Sequence, residues 1–221
     1  MWTRNQTFLK FAVLILFCAF QIDPMRADTG AFEASVDIGK VERPGAAEFD
    51  KSKQQYRVTG SGENMWKAVD AFHFVYRKIT GDITLSADIA FEVESKTPHR
   101  KAGCLIRQTL DADSPYADAM VHGDGSIGLQ YRKEKGGITE GVKATAKAPA
   151  TVRLERRGDL FTLYVTPKDG AMETVGPVKF SLGESTYVGL AVCAHDVKAL
   201  ETALFSEVKM SPAAPTLKVK N

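Results

Sequence analysis

The stretch from Lys101 to Arg132, KAGCLIRQTLDADSPYADAMVHGDGSIGLQYR, decides the fold of this chain. It contains three strand-like runs, AGCLIRQ, YADAMVH and SIGLQYR. Turn-forming clusters separate them: Asp-Ser-Pro precedes the second run, and His-Gly-Asp-Gly-Ser joins the second run to the third. Short runs bounded by Gly, Pro and Asp are typical of antiparallel strands connected by tight turns. The stretch therefore predicts three consecutive β-strands.

The same alternation of strand and turn signals continues outside this stretch. Strand-like runs include AFHFVYRKI, TVRLERRG and TYVGLAVCAH, and turn signals include EKGG, RRGDL and PKDGAM. Helical periodicity is nearly absent, and only residues 195–205, HDVKALETALF, have a pattern compatible with a short turn of helix. Many short strands with little helix predict an all-β sandwich or barrel.

The first 27 residues predict a secretory signal peptide. The opening MWTRNQTFLK carries Arg4 and Lys10 and no acid, the apolar run FAVLILFCAF follows, and Ala27 is the last residue before the predicted cleavage. The apolar run is shorter than the roughly 20 residues that a membrane-spanning helix needs. An uncleaved N-terminal anchor is the alternative. We expect an exported protein, periplasmic or extracellular, that is not inserted in the membrane after cleavage.

Removal of residues 1–27 balances the charge of the chain. The full sequence has 29 Lys and Arg against 27 Asp and Glu, and the signal peptide contains three of these cations and one of these anions, so 26 of each remain. A balanced domain lacks the basic surface that nucleic-acid binding requires. We expect one monomeric domain at residues 28–211, followed by a disordered Pro- and Lys-rich tail at residues 212–221.

Cys104 and Cys193 are the cysteines that remain after the predicted cleavage. Each lies inside a predicted strand, so either a disulfide joins two neighbouring strands or both are buried free thiols; we favour the free thiols. The sequence has no CxxC or HxxxH spacing and no acidic calcium loop. It therefore predicts no metal site and no cofactor.

Several blocks, in order, resemble a known superfamily. They are Trp66, Asp70 with Phe72, and residues 81–82, 102–107, 154–159 and 188–195. Together they resemble a bacterial, laminin-G-like branch of the concanavalin A-like lectin and glucanase superfamily over roughly residues 32–211. The resemblance implies an antiparallel jelly-roll β-sandwich whose relatives bind or cleave sugars. One departure is Glu173, which stands where this branch commonly has a Trp, so no sugar-binding role of that Trp is carried over.

No pair of catalytic carboxylates is recognisable. Glycoside hydrolysis needs two carboxylates about 5–10 Å apart. Glu92 and Glu94 share a strand face and Glu155 lies beside three arginines, but neither place provides the full glucanase pattern that the superfamily would imply. Surface carboxylates of this kind are most often solvated charges, so the sequence predicts no catalytic residue and leaves enzymatic activity uncertain.

Strand periodicity groups a set of polar and aromatic side chains into a candidate ligand-binding face. Arg107, His122 and Arg132 each end a predicted strand beside turn residues, so we expect them at a common rim. Stacking rings with Arg, Asp and His suit the recognition of sugar hydroxyls. An ordinary solvated, ion-paired face is the alternative, and Trp66 fits either a core position or a stacking platform. The full candidate set is Trp66, Asp70, His73, Arg107, Tyr116, His122, Arg132 and His195.

Three functions are compatible with this sequence. The first is an exported, noncatalytic carbohydrate-binding or cell-envelope adhesion module with a glycan as its partner. The second is a glycoside hydrolase or related sugar-processing enzyme on the same fold, and the third is a structural or partner-binding domain of the envelope. The first is favoured because the implied fold suits it and no catalytic pair is visible.

Overall fold

The structure is a computed structural model and describes residues 28–213. The predicted signal peptide at residues 1–27 lies outside the described residues, and so do residues 214–221 of the predicted tail. Among the described residues, no helix is long and apolar enough to cross a membrane.

Two seven-stranded sheets and one small hairpin form the described chain. The first sheet has the order β1 (Ala34–Ile38), β6 (Phe72–Thr80), β15 (Ser185–Cys193), β8 (Lys101–Arg107), β9 (Tyr116–His122), β10 (Ser126–Arg132) and β11 (Glu140–Lys147). The second has the order β14 (Glu173–Lys179), β13 (Leu160–Pro167), β12 (Ala150–Arg157), β7 (Ile83–Phe91), β16 (Asp196–Ser211), β3 (Gln55–Gly62) and β2 (Ala46–Asp50). The hairpin pairs β4 (Met65–Trp66) with β5 (Val69–Asp70).

The two sheets pack face to face around one apolar core. Alternate residues of each strand enter it, as Cys104 and Ile106 do from β8 and Leu85 and Ala87 do from β7. All strand pairings in both sheets are antiparallel. The predicted all-β antiparallel sandwich is therefore confirmed.

Residues 195–205 do not form the short turn of helix with which their pattern is compatible. Asp196–Ser211 forms β16, which pairs with β3 on one side and β7 on the other. A central position between two strands satisfies the backbone of this segment on both sides, and its pairing has shifts in register between Asp196 and Glu201 and between Ser206 and Lys209. Tertiary pairing overrides the weak local helical pattern here.

The strands β8, β9 and β10 of the first sheet are buried on both faces. The inner face of this sheet contributes to the core, and its outer face has a second apolar cluster that includes Phe72, Phe74, Leu105 and Met120. Met65 of the β4–β5 hairpin belongs to the same cluster, so the hairpin lies over this outer face. The hairpin and its neighbouring loops thus form a third layer on the sandwich.

This third layer corrects the expected orientation of β6. Strand periodicity predicts His73 on the polar candidate face. The structure instead places Phe72 and Phe74 on the outer face under the hairpin, whereas His73 points between the sheets towards Gly60 of β3. Because both faces of β6 are covered, alternation alone does not show which face meets the second sheet.

Cys104 and Cys193 are free thiols on opposite faces of the first sheet. Cys104 belongs to the core between the sheets, and Cys193 belongs to the cluster on the outer face. The favoured prediction of two buried free thiols is confirmed, and the disulfide alternative is wrong because the two side chains point away from each other.

Candidate functional site

Trp66 stands at the centre of the candidate site. It is partly exposed on the β4–β5 hairpin and lines a cleft of about 540 Å³ beside the loop that follows β1. Polar side chains also line this cleft. They are Lys40, Glu42, Glu63, Asn64 and Lys67.

Backbone hydrogen bonds fix the hairpin to the adjacent loops. The N–H of Asp70 donates to Ala112 O at 2.9 Å, and the N–H of Thr139 donates to Lys67 O at 3.0 Å. Lys67, at the tip, adopts φ of 60°, which closes the tight turn between the two short strands. Trp66 is therefore presented on a segment that is tied down on both sides.

A buried ion pair joins the hairpin to the first sheet. Both carboxylate oxygens of Asp70 accept from the guanidinium of Arg132, at 2.6 and 2.9 Å, and a nitrogen of Arg107 lies 3.6 Å from the same carboxylate. Asp70 is only 1% exposed, and both arginines are fully buried. Burial raises the pKa of the Asp70 carboxyl above its usual value, although its hydrogen bonds and charge contacts with Arg132 oppose that change.

Arg107, Arg132 and Tyr116 hold loops rather than face a ligand. Arg107 donates to the backbone oxygens of Thr109 and Asp111, and burial lowers its pKa to about 10. The Tyr116 hydroxyl donates to Met65 O at 3.1 Å. The expectation that Arg107 and Arg132 lie at an open rim is wrong, because the hairpin and loops cover this end of the sheet.

His122 lies at the opposite end of the outer face. Its Nε2 accepts from the amide of Gln130 at 3.2 Å, and together with Trp66 these two residues line a small crevice. Burial, with the nearby charge of Lys101 as a further cause, lowers the pKa of His122 to about 4. His122 is therefore neutral near pH 7, and it lies beside the same crevice as Trp66 rather than at a common rim with Arg107 and Arg132.

The two other histidines of the candidate set occupy different places. His195 lies beyond the end of β15, where its Nδ1 is 2.8 Å from Glu63 O, and its ring meets His99 edge to face with centroids 5.3 Å apart. It supports the start of the hairpin. His73 pairs with Asp37 at 2.8 Å between the sheets and does not join Trp66. Burial lowers the pKa of His73 despite this carboxylate.

Sequence reasoning missed Lys101, which supports the hairpin from below. Its ammonium donates to Asn64 Oδ1 at 2.7 Å and lies beneath the hairpin at 5.6 Å from the Trp66 ring. Burial lowers the pKa of Lys101. The signal was present in the sequence, because Lys101 has the same strand parity as Gly103, Leu105 and Arg107, but a lysine at the start of a strand is usually solvated.

The carboxylates considered for hydrolysis are elsewhere on the surface. Glu92 pairs with Arg57 at 2.7 Å, and Glu155 pairs with Arg157 at 2.8 Å. Neither they nor Glu94 line the cleft beside Trp66. Within residues 28–213, no group of three or more His, Cys, Asp and Glu side chains is arranged to hold a metal ion.

Solved structures with the same fold were found, but no sequence family was. A functionally unknown protein from Saccharomyces cerevisiae superposes with a TM-score of 0.62 and 16% identity, covering 82% of this chain and 97% of that chain. The carbohydrate-binding module CBM66 from Bacillus subtilis gives 0.54 and 14%, covering 82% and 97%. Lectin II from Ulex europaeus gives 0.52 and 10%, covering 82% and 99%. No protein-family model and no curated protein matches the sequence.

These likenesses define the class of fold. The chain has an antiparallel jelly-roll β-sandwich fold, which the lectin from Ulex europaeus shares. At identities this low, the superpositions show that the architecture is shared, but they do not show that the activity is shared. The laminin-G-like branch that the sequence blocks resemble stays a prediction.

Proposed function

We propose that this protein is an exported, noncatalytic carbohydrate-binding module and that the sugar binds in the cleft beside Trp66. The observation that carries the proposal is the partly exposed indole, held on a fixed hairpin and surrounded by charged and amide side chains. If the bound glycan belongs to a cell surface, the module acts in adhesion.

The chemistry of the cleft suits a pyranose ring. An indole offers a flat apolar surface for the C–H face of a sugar, and it is rigid before the ligand arrives. Glu42 can accept from sugar hydroxyls, and Lys40, Lys67 and the side-chain amide nitrogen of Asn64 can donate to them. Opposite charges around one ring favour a polyhydroxyl ligand over a strongly charged one.

The buried polar residues of the candidate set have a positioning role in this proposal. Arg132 and Lys101 are buried and contact the hairpin or its neighbouring residues, and Asp70 is a buried residue of the hairpin at the border of the cleft. They fix the height and orientation of the indole. The carbohydrate-binding module from Bacillus subtilis and the lectin from Ulex europaeus support the proposal by showing that this architecture can carry sugar sites.

Export belongs to the same proposal. The basic start and the short apolar run of residues 1–27 are the features that support it. Mass spectrometry of the protein recovered from a bacterial periplasm should give an N-terminus at or near Asp28. An intact Met1 on membrane-bound protein would contradict export by a cleaved signal.

The binding proposal is tested with a glycan array followed by calorimetric titration. Trp66→Ala should weaken the best glycan at least about 10-fold, because it removes the stacking surface at the centre of the site. Trp66→Phe should retain part of the affinity. Tyr164→Ala, at a partly exposed aromatic on the second sheet, is the matched control and should bind like the wild type. Equal affinity of the wild type and Trp66→Ala would refute the proposed site.

A further inference from the structure

Apolar side chains line the same cleft as Trp66, next to its indole. Val69 is the cross-strand partner of Trp66 in the β4–β5 hairpin, and cross-strand partners point to the same side of a hairpin. Val69 is 61% exposed, so much of its apolar surface is open to a ligand. Ala68 and Val197 line the cleft as well. A sugar that stacks on the indole therefore has an apolar surface beside it.

The side-chain amide of Asn64 provides a fixed hydrogen-bond donor in this cleft. Its Oδ1 accepts from Lys101 Nζ at 2.7 Å and from the N–H of Met65 at 2.8 Å. Two donors on one atom identify that atom as the oxygen, because an amide nitrogen does not accept. Oδ1 is thus engaged inside the protein. The Nδ2 group of Asn64 has no hydrogen-bond partner within residues 28–213, so it is left to donate to a ligand.

Hydrogen-bond acceptors and balanced charges complete the lining. Glu42 and Glu63 line the cleft together with Lys40 and Lys67, and all four side chains are exposed. A sugar carboxylate would meet the two glutamates at close range, and the ammonium of a free amino sugar would meet the two lysines. A neutral group avoids both repulsions, and an N–H on such a group can donate to a glutamate carboxylate.

We propose that the cleft beside Trp66 selects an N-acetylated amino sugar, with Val69 and Asn64 as the residues that recognise its acetamido group. The proposal rests on the proposed sugar site and names the class of sugar that this site takes. An acetamido group has a methyl that can contact Val69, a carbonyl oxygen that can accept from Asn64 Nδ2, and an N–H that can donate to a glutamate. The hydroxyl of the corresponding plain hexose has no apolar part and would leave Val69 in water.

The test compares sugars that differ only in the acetamido group. The probes are pairs of short oligosaccharides matched in length and linkage: N-acetylglucosamine with glucose, N-acetylgalactosamine with galactose, and N-acetylmannosamine with mannose. In calorimetric titration, the wild type should bind its best acetamido probe at least about 10-fold more tightly than the matched hexose probe. Trp66→Ala should weaken both probes of that pair, because the indole can stack on either ring.

Two variants test the recognition of the acetamido group. Val69→Ser removes the apolar surface at an exposed position, and Asn64→Asp removes the donor while its oxygens can still accept from Lys101 and Met65. Each should reduce the ratio of the two affinities. Val93→Ser is the matched control, because Val93 is 59% exposed and does not line the cleft, and it should leave the ratio unchanged.

The outcomes separate this inference from the proposed sugar site. A wild type that binds the hexose probe as tightly as the acetamido probe overturns the inference, and so does a ratio that Val69→Ser or a folded Asn64→Asp leaves intact. Because Val69 is exposed, Val69→Ser decides the question if Asn64→Asp does not fold. Binding that Trp66→Ala weakens would still support the sugar site in each of these cases. Binding of no probe by the wild type overturns both.

Discussion

The carboxylate of Asp70 and the guanidinium of Arg132 form a two-point ion pair that fastens the β4–β5 hairpin to the first sheet, with contacts of 2.6 and 2.9 Å. Both side chains are almost completely buried. Because Trp66 is four residues before Asp70 on the same hairpin, the ion pair with Arg132 of the sheet also holds Trp66 in position.

Removing one partner should destabilise the protein strongly. Asp70→Asn leaves Arg132 and Arg107 buried without their shared carboxylate, and breaking a buried pair in this way costs about 3–5 kcal/mol. Urea unfolding followed by circular dichroism measures the loss. Asp111→Asn, at a surface ion pair with Lys135, is the control and should change the free energy of unfolding little. A loss for Asp70→Asn no larger than for the control would show that the pair does not hold the hairpin.

His122 should make stability depend on pH. Its pKa is about 4 in the folded protein and about 6.5 in an unfolded chain, because burial disfavours the charged ring. Above about pH 6.5, His122 is neutral in both states and the titration of its ring does not lower the free energy of unfolding. As the pH falls towards 4, the ring is protonated more readily in the unfolded chain, and the free energy of unfolding decreases by about 2–3 kcal/mol. As the pH falls from about 6.5 to 4, the free energy of unfolding should therefore decrease more for the wild type than for His122→Gln.

The comparison with His122→Gln is needed because buried carboxyls act in the opposite direction. Burial raises the pKa of Asp70 and Asp118, so the folded state loses stability relative to the unfolded state as the pH rises above their ordinary values. Subtracting the variant cancels their contribution. An NMR titration that puts the His122 pKa near 6.5 would contradict the prediction.

Most strands could be predicted from the sequence because turn residues bound them and several alternate between apolar and polar residues. The third layer could not. MWKAVD, residues 65–70, has two strand residues on each side of its turn, too few for a periodic signal. Without knowledge of that layer, Arg107 and Arg132 are predicted to be the exposed ends of strands. For a strand such as β6, the sequence then does not show which of its two faces packs against the core.

The candidate site was partly recoverable for the same reason. Parity correctly grouped Arg107, Tyr116, His122 and Arg132 on one face of the first sheet, because cross-strand neighbours point to the same side. Parity carries no information on burial. The difference between a ligand-binding arginine and a loop-holding arginine depends on the backbone oxygens of distant loops, such as Lys67 O beside Arg132.

Glu173 should protect the edge of the first sheet. This residue of β14 accepts from the backbone N–H groups of Thr145 and Ala146 on β11, at 2.9 and 2.8 Å, and so joins the two sheets at one open side. These hydrogen bonds lower the pKa of its carboxyl. In Glu173→Ala, amide hydrogen exchange at Thr145 and Ala146 should accelerate, whereas exchange in the central strand β8 should stay slow. Unchanged protection of both amides would show that the contact does not form in solution.

Cys104 and Cys193 should report separately on the core and on the hairpin. Burial raises the pKa of both thiols, that of Cys193 to about 11, so neither should react with iodoacetamide in the native protein near pH 8. Cys193 lies under the hairpin, with its thiol donating to Gly62 O at 3.5 Å, whereas Cys104 lies between the sheets. Loosening the hairpin should therefore expose Cys193 first.

Asp70→Asn combined with peptide mass mapping tests this order. If the ion pair holds the hairpin, Cys193 in Asp70→Asn should be labelled faster than in the wild type under native conditions, and Cys104 should be labelled only when the whole sandwich unfolds. Asp111→Asn should keep the slow labelling of the wild type at both positions. Labelling of Cys104 and Cys193 at one common rate in Asp70→Asn would mean that the hairpin opens only with global unfolding, and earlier labelling of Cys104 would contradict the layer order described above.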